Sequence, residues 1–209
     1  MKKIKIVFIL LPIFTLAQVG ISTTSPTATL EIATSDTETM PPFEIESRST
    51  TPTGTSDGQM AVIDNILFIY NVVKNKWLSL ETIPLTFSNY FQSGSSAYSY
   101  GYLTTTSNSI NVGIKLPYDG TIVAITFQQF YNSNAANKNI EIRRNFTQVS
   151  AIDVIHTFTL TGITYNNNNV NIDFNSGDYL SLYCVNDGVP GSLNAPVATL
   201  FIKWRKDNP

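Results

Sequence analysis

The chain has little cysteine, little histidine and little charge. Cys184 is the one cysteine in 209 residues, so no disulfide can close within a single chain. Stability must come from core burial or from association. His156 is the one histidine, so a Ser-His-Asp or Cys-His device would have to be built on that imidazole. Charged residues make up 13% of the chain and the formal net charge is -2. That balance provides no basic face for nucleic acid and no attraction to an anionic membrane surface. There is also no phosphate-cradling glycine loop and no Cys/His cluster at metal-ligand spacing. The expectation is therefore no cofactor and no metal.

What is present begins with "MKKIKIVFILLPIFTLA". Lys2, Lys3 and Lys5 form a basic start, Ile6 to Leu16 an apolar run, and Ala17 a small residue before a cut. A membrane anchor is the other reading, but the run falls short of the roughly 20 apolar residues that span a bilayer. The expectation is a signal peptide over residues 1–17, with export and no membrane insertion. No cysteine follows the apolar run, which excludes a lipoprotein anchor at this site. An animal secreted domain of this size would often carry disulfides, so a bacterial protein, secreted or on the cell surface, fits better. The sequon Asn145-Phe146-Thr147 matters only if the host glycosylates it.

Thr, Ser and Asn are abundant and aromatics make up 11%, a composition suited to β-sheet surfaces. Residues 18–57 read as an extended β stem and linker: Leu30 and Ile32 alternate with polar or small neighbours, and "PPFEIESRSTTPTGTSDG" is a Pro/Thr/Ser connector. Residues 58–82 read as a small β-meander, with strand-like runs Met60–Ile63, Ile66–Tyr70 and Trp77–Leu80 joined by Asp64-Asn65 and Lys74-Asn75. Its apolar residues lie on both faces, so one face is expected to pack on a partner subunit or on the following domain. Residues 83–209 form the head. Alternation recurs at Ile110 to Leu116, after the turn Pro117 to Gly120 at Val123, Ile125 and Phe127, at Ile140 and Ile142, at Phe158 and Leu160, at Val170 to Phe174, at Leu180 and Leu182, and from Val197 to Trp204. This gives about eight strands, no convincing helix and a β-sandwich or jelly roll of roughly 120 residues. The fold class expected is all-β.

Two segments resemble known families. "VGISTTSPTATLEI" resembles the V-G-I-G-T-T-x-P units near the start of secreted bacterial tail-fibre-like proteins, with Ser22 in place of the second glycine. The meander ending in Trp77 resembles the segment that often follows such units. In the head, "LPYDGTIVAITF", "VNIDFNSGDYLSLYCV" and "VATLFIKW" resemble the complement- and tumour-necrosis-factor-like jelly roll, especially that of collagen-like glycoproteins on bacterial spores. Gly177-Asp178 matches that family's turn before a late strand, but no Gly-X-Y tract is present. The resemblance implies a homotrimer with the last strand near its axis. Tyr102 and Phe201 are then candidate interface residues, with Trp77 of the meander beside them.

The materials for catalysis are few. Cys184 alternates with Leu180 and Leu182 and reads as a buried thiol. Glu141, Asp153, Asp173, Asp178 and Asp187 could supply a glycosidase pair, but each reads more simply as a turn or solvent-face residue. "DFNSGD" fails the EF-hand pattern, because its sixth and twelfth positions are Asp178 and Cys184; a loop calcium site of another design stays open. No catalytic residue is assigned. The loops are rich in Asn, Ser, Gly and Tyr, the chemistry of recognition surfaces. Candidate ligand contacts are Tyr98, Tyr100, Tyr102, Tyr131, Asn132, Asn134, Tyr165, Asn167 and Asp187. The expected role is adhesion or receptor binding, with a surface glycan or a protein as partner. The alternatives are a structural trimerisation cap on a larger surface complex and, less favoured, a carbohydrate-active enzyme.

Overall fold

The computed structural model describes residues 19–21, 30–32, 41, 43–88, 113–129, 138–144, 153–184 and 195–209. The chain divides into two units, Met1–Glu46 and Ser47–Pro209. In the first, β1 (Val19–Ile21) and β2 (Leu30–Ile32) pair in parallel, Val19 opposite Leu30 and Ile21 opposite Ile32. The strand expected at Leu30 and Ile32 is present. So short a pair cannot hold itself in water, and Leu30 is exposed.

The second unit is all-β, with no helix among the described residues. It opens with β3 (Ser47–Arg48), β4 (Met60–Ile63), β5 (Ile66–Asn71), β6 (Lys76–Ser79) and β7 (Ile83–Ser88). After these come β8 (Ile114–Lys115), β9 (Gly120–Gln128), β10 (Lys138–Arg144) and β11 (Asp153–Leu160). The chain ends with β12 (Thr164–Asn167), β13 (Ile172–Phe174), β14 (Tyr179–Cys184) and β15 (Val197–Asp207). Asp64 and Asn65 both sit at positive φ, 49° and 65°. A tight β4–β5 hairpin requires this backbone at both central residues, and Asp and Asn tolerate it better than most.

Two sheets result. One runs β11-β10-β14-β8; the other runs β12-β9-β15-β6-β5-β4-β3, with β13 also on β9 and β7 also on β15. One core cluster draws side chains from both, including Ile122, Ile125, Leu200 and Ile202 from the larger sheet and Ile140, Ile142, Leu180 and Leu182 from the smaller. The arrangement is consistent with a β-sandwich. Each such fully buried aliphatic side chain contributes about 1.5–3 kcal/mol. The alternation expected at Val123, Ile125 and Phe127 is interrupted. Phe201 pairs with Ala124 but Ile202 pairs with Ile122, so Val123 is the extra residue of a β-bulge. Ile122 takes its place in the core, and the freed Val123 carbonyl accepts the Val170 amide at 3.1 Å.

The long β15 pairs with strands on both sides of residue 82, where the sequence places a boundary. Its first part, Val197 to Ile202, pairs with β7, and its end, Arg205 to Asp207, pairs with β6. Ser79 closes the gap between them: its hydroxyl accepts the Trp204 amide at 3.0 Å. Lys203 Nζ donates to the Ser79 and Leu80 carbonyls at 2.9 and 3.0 Å. Meander and head are therefore one sheet. Part of the expected linker belongs to the same unit, because β3 pairs with β4 and the Pro52 carbonyl accepts the Trp77 indole N–H at 2.9 Å. Gly54 N also donates to Asn208 Oδ1 at 2.7 Å. The meander's inner face closes its own cluster of Ala61, Ile63, Phe68, Tyr70 and Trp77. Trp204 packs against this cluster and the head core alike.

Candidate interaction surface

In β15, alternation sends Ala198, Leu200 and Ile202 inward and leaves Val197, Thr199 and Phe201 on the outer face. Register then fixes their neighbours. Phe201 lies between Pro84 and Ala124, Thr199 between Thr86 and Thr126, and Val197 between Ser88 and Gln128. These three rungs of three residues hold no charged side chain. A shallow depression of about 520 Å³ opens on this side, bordered by Thr126, Gln128, Gln129, Thr164, Val197 and Thr199. The outer face of the smaller sheet differs. Arg143 Nη2 lies 2.6 Å from Glu141 Oε2, and its guanidinium stacks 3.5 Å from the Tyr183 ring centre.

Phe201 therefore stands on the middle strand of the uncharged face, at the end rung next to Lys203. Trp77, the other described interface candidate, is 2% exposed in the single chain. Its ring packs on Tyr70 at 5.3 Å and its N–H is taken by Pro52. Trp77 is consumed inside its own subunit, because the meander closes on itself and on Trp204. Tyr165 lies on β12 opposite Phe127 and stacks on Phe158, centroids 4.5 Å apart, so much of its ring serves the core. Asn167 accepts the Asn169 amide at 3.0 Å and holds the turn after β12. Tyr98, Tyr100, Tyr102, Tyr131, Asn132, Asn134 and Asp187 lie outside the described residues.

The described carboxylates weighed for catalysis are each engaged. Glu141 pairs with Arg143, and Asp153 Oδ2 accepts from Arg144 Nε at 2.7 Å. Asp178 Oδ2 takes the Asn175 amide at 2.7 Å, closing a turn in which Gly177 adopts φ 88°. That conformation favours glycine, and the Gly-Asp pair is a strand-starting turn. Among the described residues no three His, Cys, Asp or Glu side chains are grouped as metal ligands. His156 pairs across β10 with Ile142, and its buried Nε2 has no partner among the described residues. Burial pushes its pKa down. The backbone of Cys184 pairs with Ile140.

Sequence reasoning missed a polar cluster around Asp173. Lys76 Nζ lies 2.7 Å from both of its carboxylate oxygens, Thr121 Oγ1 donates at 2.7 Å, and Arg205 Nη1 lies at 3.2 Å. Both cations are buried. Desolvation alone would raise the Asp173 pKa, but the hydrogen bonds from Lys76 and Thr121 and the charges of Arg205 and Lys76 outweigh it and hold it below the ordinary value. Lys74 Nζ, bound to the Val170 carbonyl, is pushed down by burial and by Lys76. Asp173 and its three partners come from four strands far apart in sequence, and no local pattern marks them. A scan against protein-family models finds no match to this chain, and a search of the curated proteins finds none.

Proposed function

We propose that this is an exported bacterial surface protein, a homotrimer whose jelly-roll head binds a receptor rather than catalysing a reaction. The observation that carries the reading is the uncharged outer face built on Val197, Thr199 and Phe201. Strand order supports it. Counting the head from β7 and taking β12 and β13 as one arm, the first, last, third and sixth strands share one sheet, and the second, seventh, fourth and fifth share the other. That order agrees with the jelly-roll reading. A flat face of Phe, Pro, Ala, Val and Thr is inexpensive to desolvate and suits a rotationally symmetric interface. A three-fold axis beside this face would run along the last strand, as the tumour-necrosis-factor-like resemblance implies. Three heads on one stem present three equivalent binding surfaces, so weak single-site affinity becomes avidity. Export rests on the basic and apolar start of the chain.

Light scattering after size-exclusion chromatography of Gln18 to Pro209 tests the assembly. A mass three times that of the monomer is expected. A monomer at micromolar concentration would overturn both the axis at β15 and the avidity mechanism.

A further inference from the structure

A second concavity lies away from the uncharged face. It is a cleft of about 280 Å³ where the meander's first hairpin, the Pro117–Asp119 turn, the Asn175–Asp178 turn and the end of β15 meet. We propose that this cleft binds one ring of a neutral saccharide, deepening the receptor-binding reading on which it rests. Its walls are aromatic and aliphatic. Tyr118 stands 54% exposed at the mouth. Its ring meets Trp204 edge-on, at 5.3 Å and 80°, and Ile66 forms the wall from the meander with Phe68 buried behind it. Aromatic walls of this kind receive the C–H face of a pyranose, while the tyrosine hydroxyl stays wet.

The rim supplies the polar half of the chemistry. Asp64 and Lys206 form an exposed ion pair at 2.7 Å, which places an acceptor and a donor side by side. Asp119 Oδ1 accepts the Ser176 amide at 2.7 Å. Its Oδ2 has no protein partner among the described residues and remains a strong acceptor for a hydroxyl. Ser176 Oγ donates back to the Pro117 carbonyl at 2.7 Å, and Gly177 N donates to the Leu116 carbonyl at 2.7 Å. The two turns are thus locked together before any ligand arrives, which lowers the entropy cost of binding.

Charge decides the class of sugar. Asp64 and Asp119 balance Lys206 and Arg205 in the lining, so the cleft holds no excess of positive charge for an anionic ligand. Arg205 Nη1 is held by Asp173 and Asp207, and its Nε has no partner among the described residues. Neutral hydroxyl groups satisfy both carboxylates at no Coulombic cost. A volume just under the usual range of about 300–1,000 Å³ for small-molecule sites suits one ring with the rest of a chain in solvent.

The test is titration of the full exported chain with galactose, glucose, N-acetylglucosamine and lactose, read by tryptophan fluorescence and calorimetry. Trp204 reports the cleft, while Trp77 is shielded. Expected is millimolar binding of at least one of these, weakened about tenfold or more in Tyr118→Ala and in Asp119→Asn. Sialyllactose should bind no better than lactose. Asp119→Asn retains the acceptor for Ser176, and Tyr118 is a surface ring, so both variants should melt like the parent. Two results would overturn the proposal: none of the four sugars shifting either signal at tens of millimolar, or binding undiminished in Tyr118→Ala. The second leaves receptor binding standing and moves it to another surface. Failure of the trimer reading shows only in the mass measurement.

Discussion

Lys76 Nζ sits 2.7 Å from each carboxylate oxygen of Asp173, joining a strand of the meander to the arm that lies along β9. Lys76 and Arg205 are both buried and both depend on this carboxylate. Asp173→Asn keeps the shape and removes the charge, leaving two buried cations short of a partner. The expected loss is about 2–3 kcal/mol, below the value for a fully buried pair because the Asp173 side chain is 39% exposed. Urea denaturation at pH 7 measures it.

The same carboxylate gives a signed pH dependence. Its folded pKa lies below the unfolded value, so the unfolded chain takes the proton first as pH falls. The stabilisation is complete above the ordinary carboxylate pKa and disappears as pH drops through the lowered one. Melting temperatures should fall less steeply in acid for Asp173→Asn than for the parent. Parallel acid limbs would remove Asp173 from the account.

Gly120 is fixed by space. A Cβ there would stand 2.2 Å from the Phe174 ring and 2.9 Å from the Lys203 carbonyl oxygen. Gly120→Ala should therefore cost about 3 kcal/mol. Phe174→Leu in the same chain should recover part of that loss by freeing the ring's space, while the clash with the backbone carbonyl remains. A double-mutant cycle in urea reads the coupling, and simple additivity would show that the ring is not the obstacle.

His156 answers to a different window. Burial lowers its pKa, and among the described residues Nε2 has no partner to hold a proton. The unfolded chain is protonated as pH falls through about 6.5 while the folded chain resists. Stability should decline from neutral toward the lowered folded value and level off below it. His156→Leu, close in volume and unable to titrate, should flatten that slope between pH 7.5 and 5.5 in denaturation midpoints. A slope unchanged by the substitution would assign the dependence to another group.

Much of the architecture was legible because period-2 alternation is enforced by one buried face. Ile140 and Ile142, Leu180 and Leu182, and Phe158 and Leu160 all reach the core where alternation places them. Alternation failed at Val123, where a bulge adds a residue that local pattern cannot reveal. It was also silent on Ser79 and Trp204, whose hydrogen bond merges meander and head. Such joins depend on residues 125 positions apart. The cleft beside Tyr118 was hidden for the same reason: Asp64, Tyr118, Ser176 and Lys206 become neighbours only once β15 spans both parts of the sheet. The sequence reads Tyr165 as a loop aromatic; it lies instead on β12, with its ring half spent on Phe158.

The outer face offers the most direct challenge to the assembly. Phe201 is partly exposed and its cross-strand neighbours, Pro84 and Ala124, are uncharged. In a monomer, Phe201→Glu would be an ordinary surface change within about 0.5 kcal/mol. In a trimer with β15 at the axis, three carboxylates would be forced together in a desolvated interface, which like charges strongly resist. The scattering mass should fall to that of one chain while the far-ultraviolet dichroism stays that of a β protein. Thr199→Arg, two residues along the same face, should act alike and through the opposite sign. A trimer that tolerates both substitutions would place the axis elsewhere.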